Sequence, residues 1–322
     1  MIETYDCTGD AISPRPGGDI GDQTIWIDLV NPTAEEEALV EKALGIDVPT
    51  REEMREIEHS SRLYSEDGAH FMTASVLYGI DGPEPQTTDI TFILAANRLV
   101  TVRYIEPKAF ALLKARAKKP RSGCETAPRL LMGLLEAIID READMIERIQ
   151  AEIGKLAHTI FEMRGGALTR QRRFEVVLKQ IGRGGEVTTR ARESMQSLQR
   201  LLVHFAQESI TPKSDKDLRN RLKTATRDVQ SLNDHLGFMT TRAEFLLDAT
   251  LGLINIEENR VIKIFSILAI VLMPPTLIGT IYGMNFKHMP ELGWVYGYPF
   301  ALVLMVLSAI GSYLFFRYKG WW

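Results

Sequence analysis

Two long apolar runs near the end of the sequence constrain the fold more than any other feature. Between Ile264 and Ile281 no side chain is charged, and a second apolar run extends from Tyr298 to Phe316. Each run is about as long as a helix needs to cross the hydrocarbon core of a bilayer. The sequence therefore predicts two membrane-spanning helices, joined by a short loop and preceded by a much longer charged segment.

The first apolar run is unusual in its interior. Pro274 and Pro275 remove two backbone donors and predict a bend, and Thr276 and Thr280 add hydroxyl groups to the same segment. Such a defect is tolerated in a bilayer where other helices or a water-filled cavity cover it. Two interpretations remain open from spacing alone. The segment is either one wall of a wet pathway or a kinked anchor whose threonines bond to their own helix.

The segment between the two runs carries two short motifs. A Gly-Met-Asn triplet occupies positions 283–285, and a Met-Pro-Glu-Leu sequence occupies positions 289–292. Together with the basic and aromatic tail, with Asn255–Arg260 and with Trp26–Leu29, these motifs resemble the CorA family of magnesium transport proteins. The likeness covers most of the chain, although the middle helices match in pattern more than in letters.

The N-terminal part predicts a mixed α/β domain. Thr33 with Glu36 forms a capping-box pattern that opens one helix, the same pattern recurs at Thr50 and Glu53, and a further helix is predicted from Pro107 to Ala117. Ala96-Asn97 predicts a hairpin turn. The strand-like runs are Thr24–Leu29, Ser61–Tyr64, His70–Tyr78, Thr88–Ala95 and Leu99–Tyr104.

The middle of the chain is predicted to be helical. One helix covers Ala127 to about Met163. Its acidic face is expected to be solvated, and the alternative that the resemblance implies is that it gathers cations near the inner mouth of the pore. The face includes Glu136, Asp140, Glu142, Asp144, Glu147 and Glu152. A second covers about Thr169 to Gln207, where Gly182, Gly184 and Gly185 are expected to weaken or break it. A third runs from Asp217 to Ile281 and keeps a 4-3 apolar rhythm from Leu218 to Leu253. Because one small domain cannot bury so long a seam, we expect other subunits to cover it.

The predicted fold is that of an α+β membrane protein. The expected parts are a cytoplasmic α/β domain (1–125), a helical hairpin beside the stalk (126–210), a stalk helix (212–260) continuous with the first span (261–281), an outer loop (282–297), the second span (298–316) and a basic-aromatic tail (317–322). The resemblance implies a funnel-shaped homopentamer with the long helices around one central pore.

Charge predicts the topology. Arg260 and Lys263 precede the first span, and Arg317 and Lys319 follow the second. By the positive-inside rule, both termini face the cytoplasm. The expected location is the cell (inner) membrane, with aromatic residues at its two interfaces: Trp294, Tyr296 and Tyr298 outside, Trp321 and Trp322 inside.

The resemblance implies a selectivity mouth formed by Gly283, Met284 and Asn285. Mg²⁺ holds its water tightly, so a ring of Asn285 amide oxygens could accept hydrogen bonds from the waters of the ion. Glu291 in the outer loop either concentrates cations or pairs with Lys287. The resemblance also places six residues of one helix face along the pore: Asn259, Ile262, Ala269, Met273, Thr276 and Thr280. Without it, a face of Ile, Ala and Met in a membrane helix is more often simple packing.

Regulation is the least specific part of the prediction. The resemblance implies that Mg²⁺ is both cargo and regulatory ligand, bound between cytoplasmic domains of neighbouring subunits. The candidate stalk carboxylates are Asp228, Asp234, Glu244 and Asp248, for each of which a solvated surface charge remains the alternative.

The predicted function is uptake of Mg²⁺ down its electrochemical gradient, with Co²⁺ and Ni²⁺ as further cargo that the resemblance implies. Two alternatives remain open: a Zn²⁺ transporter of the related GxN type and a non-conducting membrane-anchored coiled-coil scaffold. Zinc favours His and Cys ligands, which the proposed pore face lacks. We find no nucleophile-base-acid set that predicts an enzyme, no basic block that predicts nucleic-acid binding, and no motif for an organic cofactor.

Overall fold

The computed structural model describes residues 1–8, 11–79, 85–118, 125–162, 167–207, 210–211, 214–284 and 289–319, with the backbone alone for 8, 16, 59, 167–172, 291 and 292. The described residues fall into two compact units. The first comprises Met1–Met163 and Glu175–Leu247, and the second comprises Arg164–Phe174 and Asp248–Trp322.

The first unit contains one sheet of seven strands within the described residues. They are β1 (Ile2–Thr8), β2 (Ala11–Arg15), β3 (Thr24–Val30), β4 (Leu63–Glu66), β5 (Ala69–Tyr78), β6 (Gln86–Ala95) and β7 (Arg98–Arg103). The spatial order is β2-β1-β3-β7-β6-β5-β4, and only the central β3–β7 pair is parallel. Ala96 and Asn97 both have positive φ angles, 48° and 61°, so the predicted tight hairpin between β6 and β7 is confirmed.

Seven helices complete the described secondary structure, besides three short 3₁₀ helices. They are α1 (Ala34–Leu44), α2 (His59–Arg62), α3 (Lys108–Ala117), α4 (Ala127–Phe161), α5 (Ala167–Phe205), α6 (Lys216–Tyr282) and α7 (Gly297–Tyr318), with 3₁₀ turns at Pro16–Gly18, Glu53–Arg55 and Pro290–Gly293. The Thr33–Glu36 capping box that opens α1 is present in both directions. The equivalent bonds form between Thr50 and Glu53, but only a 3₁₀ turn follows.

The structure differs from the local predictions in three places. The N-terminal strands β1 and β2 were not predicted. Ser61 and Arg62 belong to helix α2, and the strand predicted there begins only at Leu63. Helix α5 continues through Gly182, Gly184 and Gly185. A glycine costs a helix only about 1 kcal/mol relative to alanine, which packing against neighbouring elements can offset.

The core of the sheet has an apolar face and a face that carries a buried polar network. Strands β3 and β7 are buried on both faces, as expected for the central parallel pair. On one face, Ile27, Val100 and Val102 join the cluster that α1 covers through Val40. On the other face, the fully buried Asp28 accepts two hydrogen bonds from Arg103, at 3.0 and 2.9 Å.

Most of the long seam of α6 is buried within its own chain, which corrects the expectation that other subunits cover it. Leu218, Val229 and Leu236 are at most 1% exposed. Helices α4 and α5 cover this side, because Arg221 bonds Glu136 on α4 and Asn233 bonds Gln199 on α5. The hairpin that precedes α6 in sequence therefore supplies the contact that the sequence analysis assigned to other subunits.

Glu142 on α4 was predicted to be solvated with its acidic neighbours, but it is 1% exposed. Its Oε1 accepts hydrogen bonds from the Leu77 amide at 3.0 Å and from the Ser194 hydroxyl at 2.6 Å, whereas its Oε2 has no partner among the described residues. Burial raises the pKa of Glu142 to about 8, although both hydrogen bonds favour the charged form. The carboxyl thus joins α4 to α5 and β5 mainly in its neutral form.

We expect Glu142→Gln to abolish a pH dependence of stability. In the wild type, the folded state holds a proton that the unfolded state loses near pH 4.5, so the free energy of unfolding falls as pH rises from about 4.5 to about 8. The total loss is on the order of a few kcal/mol. The glutamine cannot ionise, and its amide oxygen can still accept from Leu77. Denaturant unfolding of both proteins at pH 6 and pH 9 measures the effect, and an equal loss in the two proteins would contradict it.

Candidate ion pathway

The second unit contains the apolar part of α6 and the whole of α7, the two described helices long and apolar enough to cross a membrane. Only 6% and 11% of their most apolar windows are buried within the chain. A core helix of a soluble protein would be mostly buried, so these exposed apolar surfaces fit a lipid or protein environment outside the single chain. The bounds of α7, Gly297–Tyr318, enclose the predicted second span.

Helix α6 continues through Pro274 and Pro275. The Thr276 hydroxyl donates to the Leu272 carbonyl at 2.8 Å, and the Thr280 hydroxyl donates to the Leu277 carbonyl at 2.8 Å. These bonds to their own helix satisfy the two threonine donors and leave the hydroxyl oxygens able to accept further bonds.

The six residues of the predicted pore face are all exposed in the single chain, including Ile262 at 62% and Met273 at 73%. Ile267 lies two residues before Ala269, which places it about 200° around the helix, and it is only 6% exposed. Helices α6 and α7 approach at Gly279, where an added Cβ would lie 3.4 Å from Met305 Cε. Thus the predicted face is not covered by other described parts of the chain.

The predicted mouth begins directly after α6. The Gly283 amide bonds the Gly279 carbonyl at 3.0 Å, and a Cβ added at Gly283 would approach that oxygen to 3.1 Å. This contact is close enough to favour glycine at the helix end. Met284 is 47% exposed. Asn285 lies outside the described residues.

The outer loop is described in part. The backbone of Glu291 lies in the 3₁₀ turn Pro290–Gly293, while Lys287, its predicted alternative partner, lies outside the described residues. Trp294 is 53% exposed and its ring centroid lies 5.8 Å from that of Phe300. Exposed aromatic residues at the start of an apolar helix are typical of a membrane interface.

The four stalk carboxylates predicted to bind regulatory metal are all exposed: Asp228, Asp234, Glu244 and Asp248. Asp228 lines a cavity of about 260 Å³ with Glu136 and Asp140 of α4, a juxtaposition that sequence could not supply because it depends on how α4 packs on α6. Burial and the neighbouring carboxylates raise the pKa of Asp140. Within the described ranges, no group of three or more acidic, His or Cys side chains is placed to hold a metal ion.

The family model for CorA-like Mg²⁺ transporter proteins matches residues 21–318. The chain belongs to the CorA family. Two curated relatives are each named magnesium transport protein CorA. The one from Pectobacterium atrosepticum is 34% identical over 299 residues, and the one from Escherichia coli K12 is 32% identical over 297 residues. Each match covers 92% of both proteins.

Solved structures agree with the CorA fold. The complete CorA magnesium transporter of Methanocaldococcus jannaschii matches with a TM-score of 0.79 at 20% identity, covering 100% of this chain and 99% of that one. Full-length CmaX matches with a TM-score of 0.69 at 14% identity, and the match covers 98% of this chain and 96% of CmaX. The ZntB cytoplasmic domain of Vibrio parahaemolyticus matches with a TM-score of 0.57 at 11% identity, and the match covers 79% of this chain and 97% of that domain. At these identities the likeness concerns the fold and not the transported ion.

Membership of CorA places the chain among membrane ion transporters and not among enzymes. The predicted α+β architecture, with a long helix followed by a second apolar helix, is confirmed. The residues predicted to select, line and regulate a pore remain predictions.

Proposed function

We propose that this chain is one subunit of a homopentameric channel for Mg²⁺ uptake. The observation that carries the proposal is the position of the Gly-Met-Asn triplet in a chain of the CorA family: it follows immediately after the exposed apolar half of α6. Curated relatives at 32–34% identity are named for magnesium transport, which favours this ion over zinc.

In the proposed mouth, Asn285 binds an ion that keeps its water shell. Mg²⁺ dehydrates reluctantly, and neutral amide oxygens attract its polarised waters without holding the ion as tightly as carboxylates would. Gly283 allows the backbone to pass close to the Gly279 carbonyl where the helix ends, and Met284 packs beside it. Glu291 adds negative potential at the entrance.

Behind the mouth, Thr276 and Thr280 form polar rings because their hydroxyl oxygens remain able to accept hydrogen bonds. Met273 and Ile262 form apolar constrictions that close by losing water, and Ala269 leaves a wider section between them. Asn259 forms a second polar ring at the cytoplasmic end. Support comes from the exposure of this face in the single chain, opposite the covered Ile267.

Large apolar side chains on the stalk support assembly into an oligomer. Phe238 and Phe245 are 61% and 59% exposed, although the seam of the same helix is buried. Exposed apolar surface of this kind is typical of an interaction site. The pentameric number comes from the family resemblance and not from these contacts.

We infer that cytoplasmic Mg²⁺ closes the channel by binding between subunits. Asp228, Asp234, Glu244 and Asp248 are exposed, as ligands shared with a neighbouring subunit must be. A bound ion would cancel carboxylate repulsion in the closed ring, and its loss would let the domains separate.

The proposed topology gives the direction of transport. Arg260, Lys263, Arg317 and Lys319 hold both helix ends at the cytoplasmic face of the inner membrane, with 1–260 inside and the 282–297 loop outside. A membrane potential of 100 mV then contributes about 4.6 kcal/mol to the entry of a divalent ion.

Flux into sealed proteoliposomes tests this function. We expect a Mg²⁺ indicator inside the vesicles to report uptake that increases with an inside-negative potential and falls when Mg²⁺ is preloaded on the side of the cytoplasmic domain. Co²⁺ and Ni²⁺ should enter by the same route. Uptake of Zn²⁺ without Mg²⁺ would favour the zinc alternative, and absence of all ion flux would favour the scaffold.

A further inference from the structure

A solvent-open groove runs between α4 and α5 in the first unit. Its volume is about 740 Å³, within the range of roughly 300–1,000 Å³ that is common for small-molecule sites. The lining includes four side chains that are at most 9% exposed and form an apolar strip along α4: Met145, Ile149, Ile153 and Leu156. We call this cavity the hairpin groove.

The two helices run antiparallel beside the groove, which fixes which residues share a level. Glu142 bonds Ser194 at 2.6 Å, and a Cβ added at Gly184 would lie 3.7 Å from Ile153. In these two pairs the residue number rises along α4 while that of the partner falls along α5, so the helices are antiparallel. By the same correspondence, Lys155 lies at about the level of Arg183. Both line the groove.

The small residue at position 184 helps to keep the groove open. Gly184 lines the cavity, and a Cβ there would make only ordinary contact with Ile153. Close backbone packing within the described chain therefore does not require glycine at this position. A glycine lowers helix stability by about 1 kcal/mol relative to alanine, yet any side chain larger than a methyl group would occupy groove volume.

Charges beside the apolar strip are predominantly positive. Arg148, Lys155 and Arg183 line the groove together with one carboxylate, Glu152. Among the described residues, neither the Lys155 ammonium nor the Arg183 guanidinium has an ion-pair or hydrogen-bond partner. Three other cations on these helices are paired: Lys179 with Glu175, Arg190 with Glu186 and Arg141 with Asp144.

We propose that the hairpin groove binds a single-chain amphiphilic anion, a free alkyl carboxylate of the fatty-acid class. The alkyl chain lies along Ile149, Ile153 and Leu156, where it leaves water. The carboxylate is held by Lys155 and Arg183, since charge-assisted bonds from two cations match its two oxygens. Charge complementarity selects this occupant over a neutral one, and the continuous apolar strip selects it over a small inorganic anion.

Photo-crosslinking of the full chain in lipid nanodiscs tests the proposal. The probe is a twelve-carbon carboxylate with a diazirine on its alkyl chain, compared with the matching alcohol. We expect the carboxylate to label peptides that contain 145–156 or 180–187, and the alcohol to label them about tenfold less. Removing two surface ion-pair contacts corresponds to a change of about this size.

Two variants separate the groove from general lipid labelling. Lys155→Ala combined with Arg183→Ala should lower labelling about tenfold, whereas Lys179→Ala, which removes a paired cation outside the groove lining, should leave it unchanged. Gly184→Leu should block labelling because the larger side chain fills the cavity. If Gly184→Leu folds poorly, the double variant of Lys155 and Arg183 still tests the proposal.

Four results would overturn the proposal. One is equal labelling in the Lys155 and Arg183 double variant, and another is equal labelling by the neutral alcohol. The third is an absence of probe label on these peptides in the assembled protein, as expected if a second copy of the chain covers the groove. Displacement of the probe by millimolar inorganic phosphate alone would likewise reduce the site to a simple anion contact.

Discussion

Asn285→Ala is expected to reduce Mg²⁺ uptake by more than tenfold, with the protein still folded and assembled. In a pentamer the substitution removes five amide groups at once. If each hydrogen bond to the hydrated ion contributes a net of about 0.5–1.5 kcal/mol, the five together contribute at least about 2.5 kcal/mol. This exceeds the roughly 1.4 kcal/mol that corresponds to a tenfold change. Initial rates of uptake into proteoliposomes at a fixed membrane potential measure the loss.

Two neighbouring variants sharpen this prediction. Met284→Leu keeps an apolar side chain of similar size, so uptake should stay close to that of the wild type if Met284 only packs. Asn285→Asp places a carboxylate ring at the mouth, which should bind Mg²⁺ more tightly and release it more slowly. Unchanged uptake and selectivity in Asn285→Ala would contradict the assignment of Asn285 to the selectivity mouth, regardless of the results with the other two variants.

Asp28→Ala is expected to destabilise the first unit by about 3–5 kcal/mol, the usual effect of leaving a buried charge without its partner. Asp28 is fully buried and accepts two hydrogen bonds from Arg103 and one from Thr101, the last at 2.8 Å. It also forms an ion pair with Lys114 at 2.9 Å. Burial alone would lower the pKa of Lys114, but attraction to Asp28 and bonding to Glu3 raise it above its usual range.

Chemical denaturation of the purified full chain, followed by circular dichroism, measures this effect. The control is Asp144→Ala, which removes a carboxylate that is 58% exposed and pairs with Arg141, so its effect should stay below about 1 kcal/mol. Asp28→Leu combined with Arg103→Met removes both charges and should recover part of the lost stability. A loss for Asp28→Ala no larger than that of Asp144→Ala would mean that solvent reaches the stranded arginine.

Features specified by neighbouring residues could be predicted from the sequence. The capping box at Thr33 and Glu36 depends on residues three apart, and the Ala96-Asn97 turn depends on two residues with positive φ. The bounds of α7 follow from a continuous apolar run whose period and length are local properties. The family assignment also rested on short contiguous motifs, and the match over residues 21–318 confirmed it.

Burial, by contrast, was decided by contacts between segments far apart in the chain. Glu142 shares an acidic helix pattern with solvated neighbours, yet β5 and α5 enclose it through Leu77 and Ser194. The 4-3 seam of α6 indicated a packing partner that the sequence analysis wrongly assigned to other subunits, whereas α4 and α5 of the same chain cover it.

The sequence by itself determined the two apolar helices, the motif between them and the family, because hydropathy and residue identity are local quantities. Only the tertiary structure decided that α6 buries its seam within its own chain, that Asp228 lies beside Glu136 and Asp140, and that a groove opens between α4 and α5. Each of these depends on which helix faces meet, and a helical periodicity specifies a face but not its partner.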